Sequence, residues 1–162
     1  MKNAHELFLY ELGVMSQAER SGSILLSILI AKRVNNPELE QILHRLEDDS
    51  HNHADNINAC LRDIHASTIH ASTAAVDGIR TDFEEFTRLQ PTPEILDLYA
   101  LDTAKRFTHI AIATYQNLTD TAQALKHHTC HGKLNTNLTD KQQSATHLEH
   151  IRNTVAQQIS AT

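Results

Sequence analysis

The sequence is poor in residues that interrupt helices. Only four glycines and three prolines occur in 162 residues, tryptophan is absent, and aromatic residues make up 4% of the chain. Turns and bulges consume glycine and proline, so this scarcity favours a few long helices. Aliphatic side chains and alanine must then fill the core. A chain of this length suits one domain, which we expect to span residues 1–162.

Other absences exclude whole classes of function. The net charge is −6 with neutral histidines and no basic stripe occurs, so we expect no nucleic-acid partner. The longest apolar run, Ile24–Ala31, is too short to span a bilayer, so we expect no membrane partner. Cys60 and Cys130 have no metal-binding spacing. Because no signal segment opens the sequence, these cysteines fit the reduced thiols of a cytoplasmic protein.

The sequence has helical periodicity, with clear signals at the points where helices begin and end. Asn36 and Thr92 each precede a proline and are expected to cap helices. Short turns within each pair of helices predict two antiparallel hairpins. The four long helices are predicted over Asn3–Arg33, Pro37 to about Ile64, Pro93 to about Leu125, and about Lys133 to Ile159.

A long connection separates the two hairpins. His65–Thr73 is small and polar without a helical stripe, and Val76–Phe86 has the pattern of a short helix. About thirty residues can run the length of a bundle. The sequence therefore predicts an all-α protein, a ferritin-like four-helix bundle with one long crossover.

Each predicted long helix has an apolar seam, a stripe of positions spaced three and four residues apart that faces the other helices. Polar residues interrupt these seams near the middle of the helices. Glu19 and Gly22 lie on the first seam, and His53 lies on the second with Asp49 one turn away. Bundles of this type use inward carboxylates and histidines to hold two iron or manganese ions. The run Asp48–His51 has ligand spacing, but polar runs on long helices are more often solvated faces.

The last helix favours a different interpretation. Lys141 lies on its seam, where it could neutralise Glu19 in place of a metal. We expect the first and last helices to be neighbours and both residues to lie near mid-height. The sequence therefore predicts a core ion pair between Glu19 and Lys141, and leaves a metal site as the alternative.

The order of motifs resembles the YciE/YciF family of ferritin-like proteins over nearly the whole chain. "LFLYELGVMSQAE" is similar to that family's opening helix, "PELEQILHRLEDDSHNHADNI" to its second, "AVDGIRTDFEEF" to its crossover helix, and "LDTAKRFTHIAIATYQNL" to its third. The resemblance implies a bundle with a di-metal-type site, often dimeric, and linked to bacterial stress responses.

This sequence departs from the family pattern at the implied site. Thr108 and Ala111 stand where the family has carboxylates on the third helix, and Lys141 stands on the last helix where acids are usual in the family. Two functions therefore stay open: a metal-free interaction or structural protein, or an iron- or manganese-binding protein with weak oxidase or storage activity. The metal ligands that the resemblance leaves are Glu19, Asp48 or Asp49, His53 and His109.

The first helix also carries more apolar surface than one seam requires. A helix that is apolar nearly all round must be buried on several sides. We therefore expect a homodimer, with part of this surface covered by a second copy. The off-seam apolar residues are Leu9, Val14, Ile24, Leu25, Ile28 and Ile30.

Overall fold

A computed structural model describes residues 1–32, 34–67 and 72–160, and within these ranges the regular structure is helical without strands. The predicted all-α bundle with a crossover helix is confirmed. The five helices are α1 (Ala4–Ala31), α2 (Pro37–Asp63), α3 (Ala74–Arg88), α4 (Pro93–Ala124) and α5 (His128–Ser160).

The helices begin and end largely where the sequence places the signals. The Asn36 side chain accepts a hydrogen bond from the Leu39 amide at 3.0 Å, and Pro37 occupies the first turn, as predicted. Thr92 makes no such side-chain cap bond. Instead, the Asp97 carboxylate of α4 accepts the amides of Asn35 and Asn36, which ties the α1–α2 turn to the start of α4.

The predicted start of the last helix was wrong by five residues. Lys126 has a φ of 59°, and the His127 amide donates to the Ala122 carbonyl at 2.9 Å, so the chain reverses within about two residues. Residues 128–132, which precede the predicted start, thus belong to α5. The predicted connection His65–Thr73 lies partly outside the described residues.

The expected adjacency of the first and last helices was also wrong. The backbone of α1 packs against α2 and α4, and that of α5 packs against α4 and α2. In the described part of the chain α1 and α5 never approach closely, so they lie on a diagonal. The long crossover is the cause, because it sets α4 beside α1 and leaves α5 beside α2. Neighbouring long helices are antiparallel.

Most of the positions predicted from periodicity to face inward form the core. On α1 every seam residue is buried, including the two unusual ones, Glu19 and Gly22. The crossover helix α3 is fastened to α4 by aromatic contacts, with Phe86 stacked on Tyr99 at 3.8 Å between ring centroids. None of the described helices is both long and apolar enough to cross a membrane.

Candidate functional site

Glu19 lies at the centre of the bundle and binds one residue from each of the other three long helices. Its side chain is 0% exposed. Tyr115 of α4 donates its hydroxyl to Oε1 at 2.8 Å, and the Nδ1 atom of His53 in α2 lies 3.2 Å from the same oxygen. Lys141 of α5 donates from Nζ to Oε2 at 2.9 Å. Both carboxylate oxygens are therefore occupied.

The Lys141 ammonium is as deeply buried as the carboxylate that it contacts. Its side chain is 0% exposed, and Nζ lies 3.5 Å from the Ser50 hydroxyl as well as beside Glu19. The ring of Phe107 completes the surroundings, with Nζ 4.5 Å from the ring centroid. A cation over an aromatic face gains electrostatic stabilisation from the ring quadrupole. Lys141 reaches across the diagonal of the bundle because its four-carbon stem spans the gap.

His53 connects the buried carboxylate to the surface. Its Nε2 atom lies 3.2 Å from Oδ2 of Asp140, whose side chain is 37% exposed. Both ring nitrogens thus face carboxylate oxygens, which only accept hydrogen bonds. The arrangement sets two acidic side chains, Glu19 and Asp140, against two basic ones, Lys141 and His53.

Asn137 holds the rest of the network in register. Its Nδ2 atom donates to the His53 carbonyl and to the Tyr115 hydroxyl, each at 3.2 Å. Asn56 of α2 donates in turn to Oδ1 of Asn137 at 2.7 Å. Asn137 lies one helical turn from Lys141, so α5 supplies both a cation and an amide to the same layer.

Electrostatics keep this layer in one charge state. Burial alone would raise the pKa of Glu19, but the Lys141 ammonium and His53 lower it to about 2. Burial and the adjacent Glu19 raise the pKa of Tyr115 well above its usual range, so the phenol remains a donor. Glu19 is therefore a carboxylate and Tyr115 is a neutral phenol at neutral pH.

Only part of the ligand set expected from the sequence converges here. Glu19 and His53 meet, whereas Asp49 is half-buried, Asp48 is exposed, and His109 is exposed on α4. On α4 the inward position is Thr108, whose hydroxyl donates to the Ala104 carbonyl at 2.9 Å. Adjacent residues on a helix point about 100° apart, so Thr108 faces the layer and His109 faces away from it.

Sequence reasoning missed Tyr115, Asn137 and Ser50 as members of the site. On α5 the apolar Leu138 and Ala145 are only half-buried, whereas the polar Asn137 and Ser144 are buried. A strict alternation of four- and three-residue steps from Leu134 passes through Asn137, Lys141 and Ser144. That spacing indicates that Asn137 and Ser144 face inward, but their polarity argued against a buried position.

The donor set does not fit two iron or manganese ions. Hard cations of this kind need several carboxylate oxygens, and Glu19 is the one fully buried carboxylate in this layer. Its Oε2 atom already binds the Lys141 ammonium, which would repel a cation at that position. Within the described ranges no three or more cysteine, histidine, aspartate or glutamate side chains are grouped so as to hold a metal ion.

A drop in pH should lower the free energy of unfolding, because Glu19 takes up a proton more readily in the unfolded chain. An unfolded Glu19 protonates near its ordinary pKa of 4.5, whereas the folded one has a pKa of about 2. The pair's stabilisation is therefore complete above about pH 4.5 and is lost as the pH falls toward 2. Glu19 should contribute a loss of about 2 kcal/mol between pH 7 and pH 3.

Urea unfolding of the protein and of Glu19→Gln at these two pH values measures that contribution. The glutamine variant should show a smaller loss between pH 7 and pH 3. Glu85→Gln, at an exposed glutamate of α3, is the control and should keep the full pH dependence. An unchanged pH dependence in Glu19→Gln would contradict the assignment.

Comparisons with known proteins agree with this architecture. A family model described as a domain of unknown function, DUF892, matches residues 3–161. Among solved structures, the E. coli stress protein YciF is similar with a TM-score of 0.90 and 19% identity, covering 97% of this chain and 99% of that one. YcfI of Rhodopseudomonas palustris is similar with a TM-score of 0.87 and 21% identity, covering 92% and 94%.

A third structure, from Xanthomonas campestris, is similar with a TM-score of 0.76 and 13% identity, covering 95% of this chain and 94% of that one. At these identities the structural likeness establishes the shared fold and nothing finer. A comparison with curated proteins found no match.

Proposed function

Because the chain belongs to the DUF892 family, with the YciE/YciF type of bundle, we propose that it is a stress-associated interaction or structural protein. In this proposal Lys141 replaces the metal charge at the centre of the bundle. The stress association rests on the description of the similar E. coli protein as a stress protein. The metal-free role rests on the contact between Lys141 and Glu19, both fully buried.

Charge balance is the physical argument for this role. A buried carboxylate costs several kcal/mol unless a cation offsets it. Lys141 supplies that cation, with the aromatic face of Phe107 beneath it and the Ser50 hydroxyl beside it. Neither Glu19 nor Lys141 is open to solvent, so a substrate could reach them only if helices separated. The layer therefore stabilises the packing of the helices through polar contacts, and partners would bind the surface of the protein.

Metal content tests the proposal directly. The full chain, purified from medium without added nickel, should hold iron, manganese and zinc well below one equivalent at this layer. Elemental analysis of the wild type, Glu19→Ala and Lys2→Ala measures this, with the exposed Lys2 as the control. One or more equivalents that disappear in Glu19→Ala but persist in Lys2→Ala would overturn the proposal and restore the di-metal alternative.

We also propose that the protein acts as a homodimer through the outer face of α1. Leu7, Tyr10 and Ile24 are 41%, 36% and 51% exposed, and their spacing puts them on one stripe. Leu25, expected from the sequence to add to this surface, is fully buried within the chain. Ser21, three residues before Ile24 on the stripe, hydrogen-bonds to Thr73 of the crossover at 3.2 Å. The stripe is therefore open at Leu7 and Tyr10, near the start of α1, and again at Ile24.

Light scattering should give a mass twice the 18.2 kDa of the chain at micromolar concentration. The double variant Leu7→Glu/Tyr10→Glu should shift the mass to that of a monomer, because charges would have to be buried at the interface. Ile95→Glu is the matched control, since Ile95 is 40% exposed but lies on α4. A wild-type monomer, or a dimer that survives the double variant, would contradict this interface.

A further inference from the structure

The two cysteines of the chain meet where α2 ends and α5 begins. Cys60 and Cys130 are free thiols, 0% and 1% exposed, and 70 residues apart in the sequence. The contact is reciprocal. Cys60 donates from Sγ to the Cys130 carbonyl at 3.7 Å, and Cys130 donates from Sγ to the Cys60 carbonyl at 3.4 Å.

We propose that Cys60 and Cys130 are a modification site, at which exposure to a peroxide forms an internal disulfide bond between α2 and α5. A disulfide requires the two Cβ atoms to be close and directed at each other. Each sulfur lies within 3.7 Å of the other residue's carbonyl oxygen, on neighbouring helices, and this reciprocal proximity favours a bond between the two sulfurs. The function proposed above does not enter this inference.

Hydrogen peroxide can approach the pair from the side of Cys130. Cys130 lines a cavity of about 230 Å³ at the end of the bundle, together with Lys126, His127, His128 and Thr129 among others. Hydrogen peroxide, with two heavy atoms, fits easily in that space. Cys60 is not among the residues that line this cavity, so Cys130 is the thiol nearer to the entry path and the one that we expect the peroxide to attack first.

The chemistry balances in two steps. The Cys130 sulfur attacks one peroxide oxygen, the O–O bond breaks, and the second oxygen leaves as water with the thiol proton, giving a sulfenic acid. The Cys60 sulfur then attacks the Cys130 sulfur, the S–O bond breaks, and a second water leaves. Two thiols lose two electrons in total, and one peroxide molecule is reduced to two waters.

The surroundings of the two thiols make the disulfide slow to form and slow to be reduced. Burial raises the pKa of both thiols, so the reactive thiolate is scarce at neutral pH. The pair therefore has the character of a site that accumulates oxidation during prolonged exposure, unlike a fast peroxidase thiol. Once formed, the buried bond is also sheltered from external thiols.

The bond would fix the central polar layer in register. Cys60 follows His53 by two helical turns on one face of α2, and Asn137 follows Cys130 by two turns on α5. Asn137 donates to the His53 carbonyl, so the two helices already contact at that level. A covalent link two turns away opposes any sliding of α2 against α5.

Intact mass and thiol counting test the proposal on the full chain. Reduced protein treated with hydrogen peroxide at neutral pH should lose two hydrogens in mass and both alkylatable thiols, with peptide mapping joining Cys60 to Cys130. The Tm should rise by roughly 5–10 °C, and reduction with dithiothreitol in denaturant followed by refolding should return it to its starting value. In Cys60→Ser the same treatment should leave a sulfenic acid at Cys130 that a dicarbonyl reagent traps.

Three results would overturn the proposal. The first is retention of both thiols after prolonged treatment. The second is gain of oxygen at either sulfur of the wild type without an internal link. The third is a disulfide that joins two chains on a non-reducing gel. Each of these readouts uses the wild-type protein, so a misfolded serine variant would not obscure the answer.

Discussion

Lys141→Ala is expected to lower the free energy of unfolding by roughly 3–5 kcal/mol, the cost of breaking a buried ion pair from one side. The alanine leaves the Oε2 atom of Glu19 without its 2.9 Å partner at a position with 0% exposure. It also removes the cation above the Phe107 ring. Urea unfolding at pH 7 measures the loss, with Lys2→Ala at an exposed lysine as the control.

The double variant Glu19→Met/Lys141→Met separates the ion pair from simple packing. Replacing a buried pair by apolar residues of similar volume is often close to neutral, so the double variant should recover much of the stability lost by Lys141→Ala. Recovery should be partial, because Glu19 also contacts the Tyr115 hydroxyl and His53, and methionine replaces neither contact. Small and additive losses for the single variants would show that the pair contributes little, and would reopen the metal alternative for Glu19.

The fold could be predicted from the sequence because its signals are local. Asn36 and the prolines at positions 37 and 93 fix where helices begin, and the steps of four and three fix which faces are buried. The adjacency of the helices could not be read in that way. It depends on the direction in which the crossover runs, and the sequence of His65–Thr73 carries no information about that direction.

Part of the site could also be predicted, for a related reason. Glu19 and Lys141 are polar residues among apolar seam neighbours, so their inward placement follows from helical period alone. Tyr115 and Asn137 belong to the same layer, but their role depends on contacts between helices. Asn137 becomes recognisable only once the Tyr115 hydroxyl and the His53 carbonyl are seen within reach. His109, which the family pattern implies as a ligand, lies on the exposed side of α4, because the helical phase puts Thr108 on the inward side.

Gly22→Ala is expected to destabilise the protein by roughly 2–3 kcal/mol, although alanine is the better helix former by about 1 kcal/mol. A Cβ atom at Gly22 would lie 2.1 Å from Cζ of Phe107 and within 2.7 Å of both Cε atoms, so the ring must move. Gly78→Ala on α3 is the matched control. No atom lies within 4 Å of its added Cβ, so that variant should be neutral or slightly more stable.

Gly22 matters because the Phe107 ring that packs on it also contacts Lys141. Phe107 rests on the bare α1 backbone at Gly22 and carries the Lys141 ammonium 4.5 Å from its centroid. Displacing the ring should therefore weaken the pair between Lys141 and Glu19 as well as strain the core.

When two residues are coupled in this way, the double variant loses less stability than the sum of the losses in the single variants. Gly22→Ala and Lys141→Ala, measured singly and combined by urea unfolding, should deviate from additivity in that direction. Strict additivity would mean that Phe107 fills space without supporting the lysine.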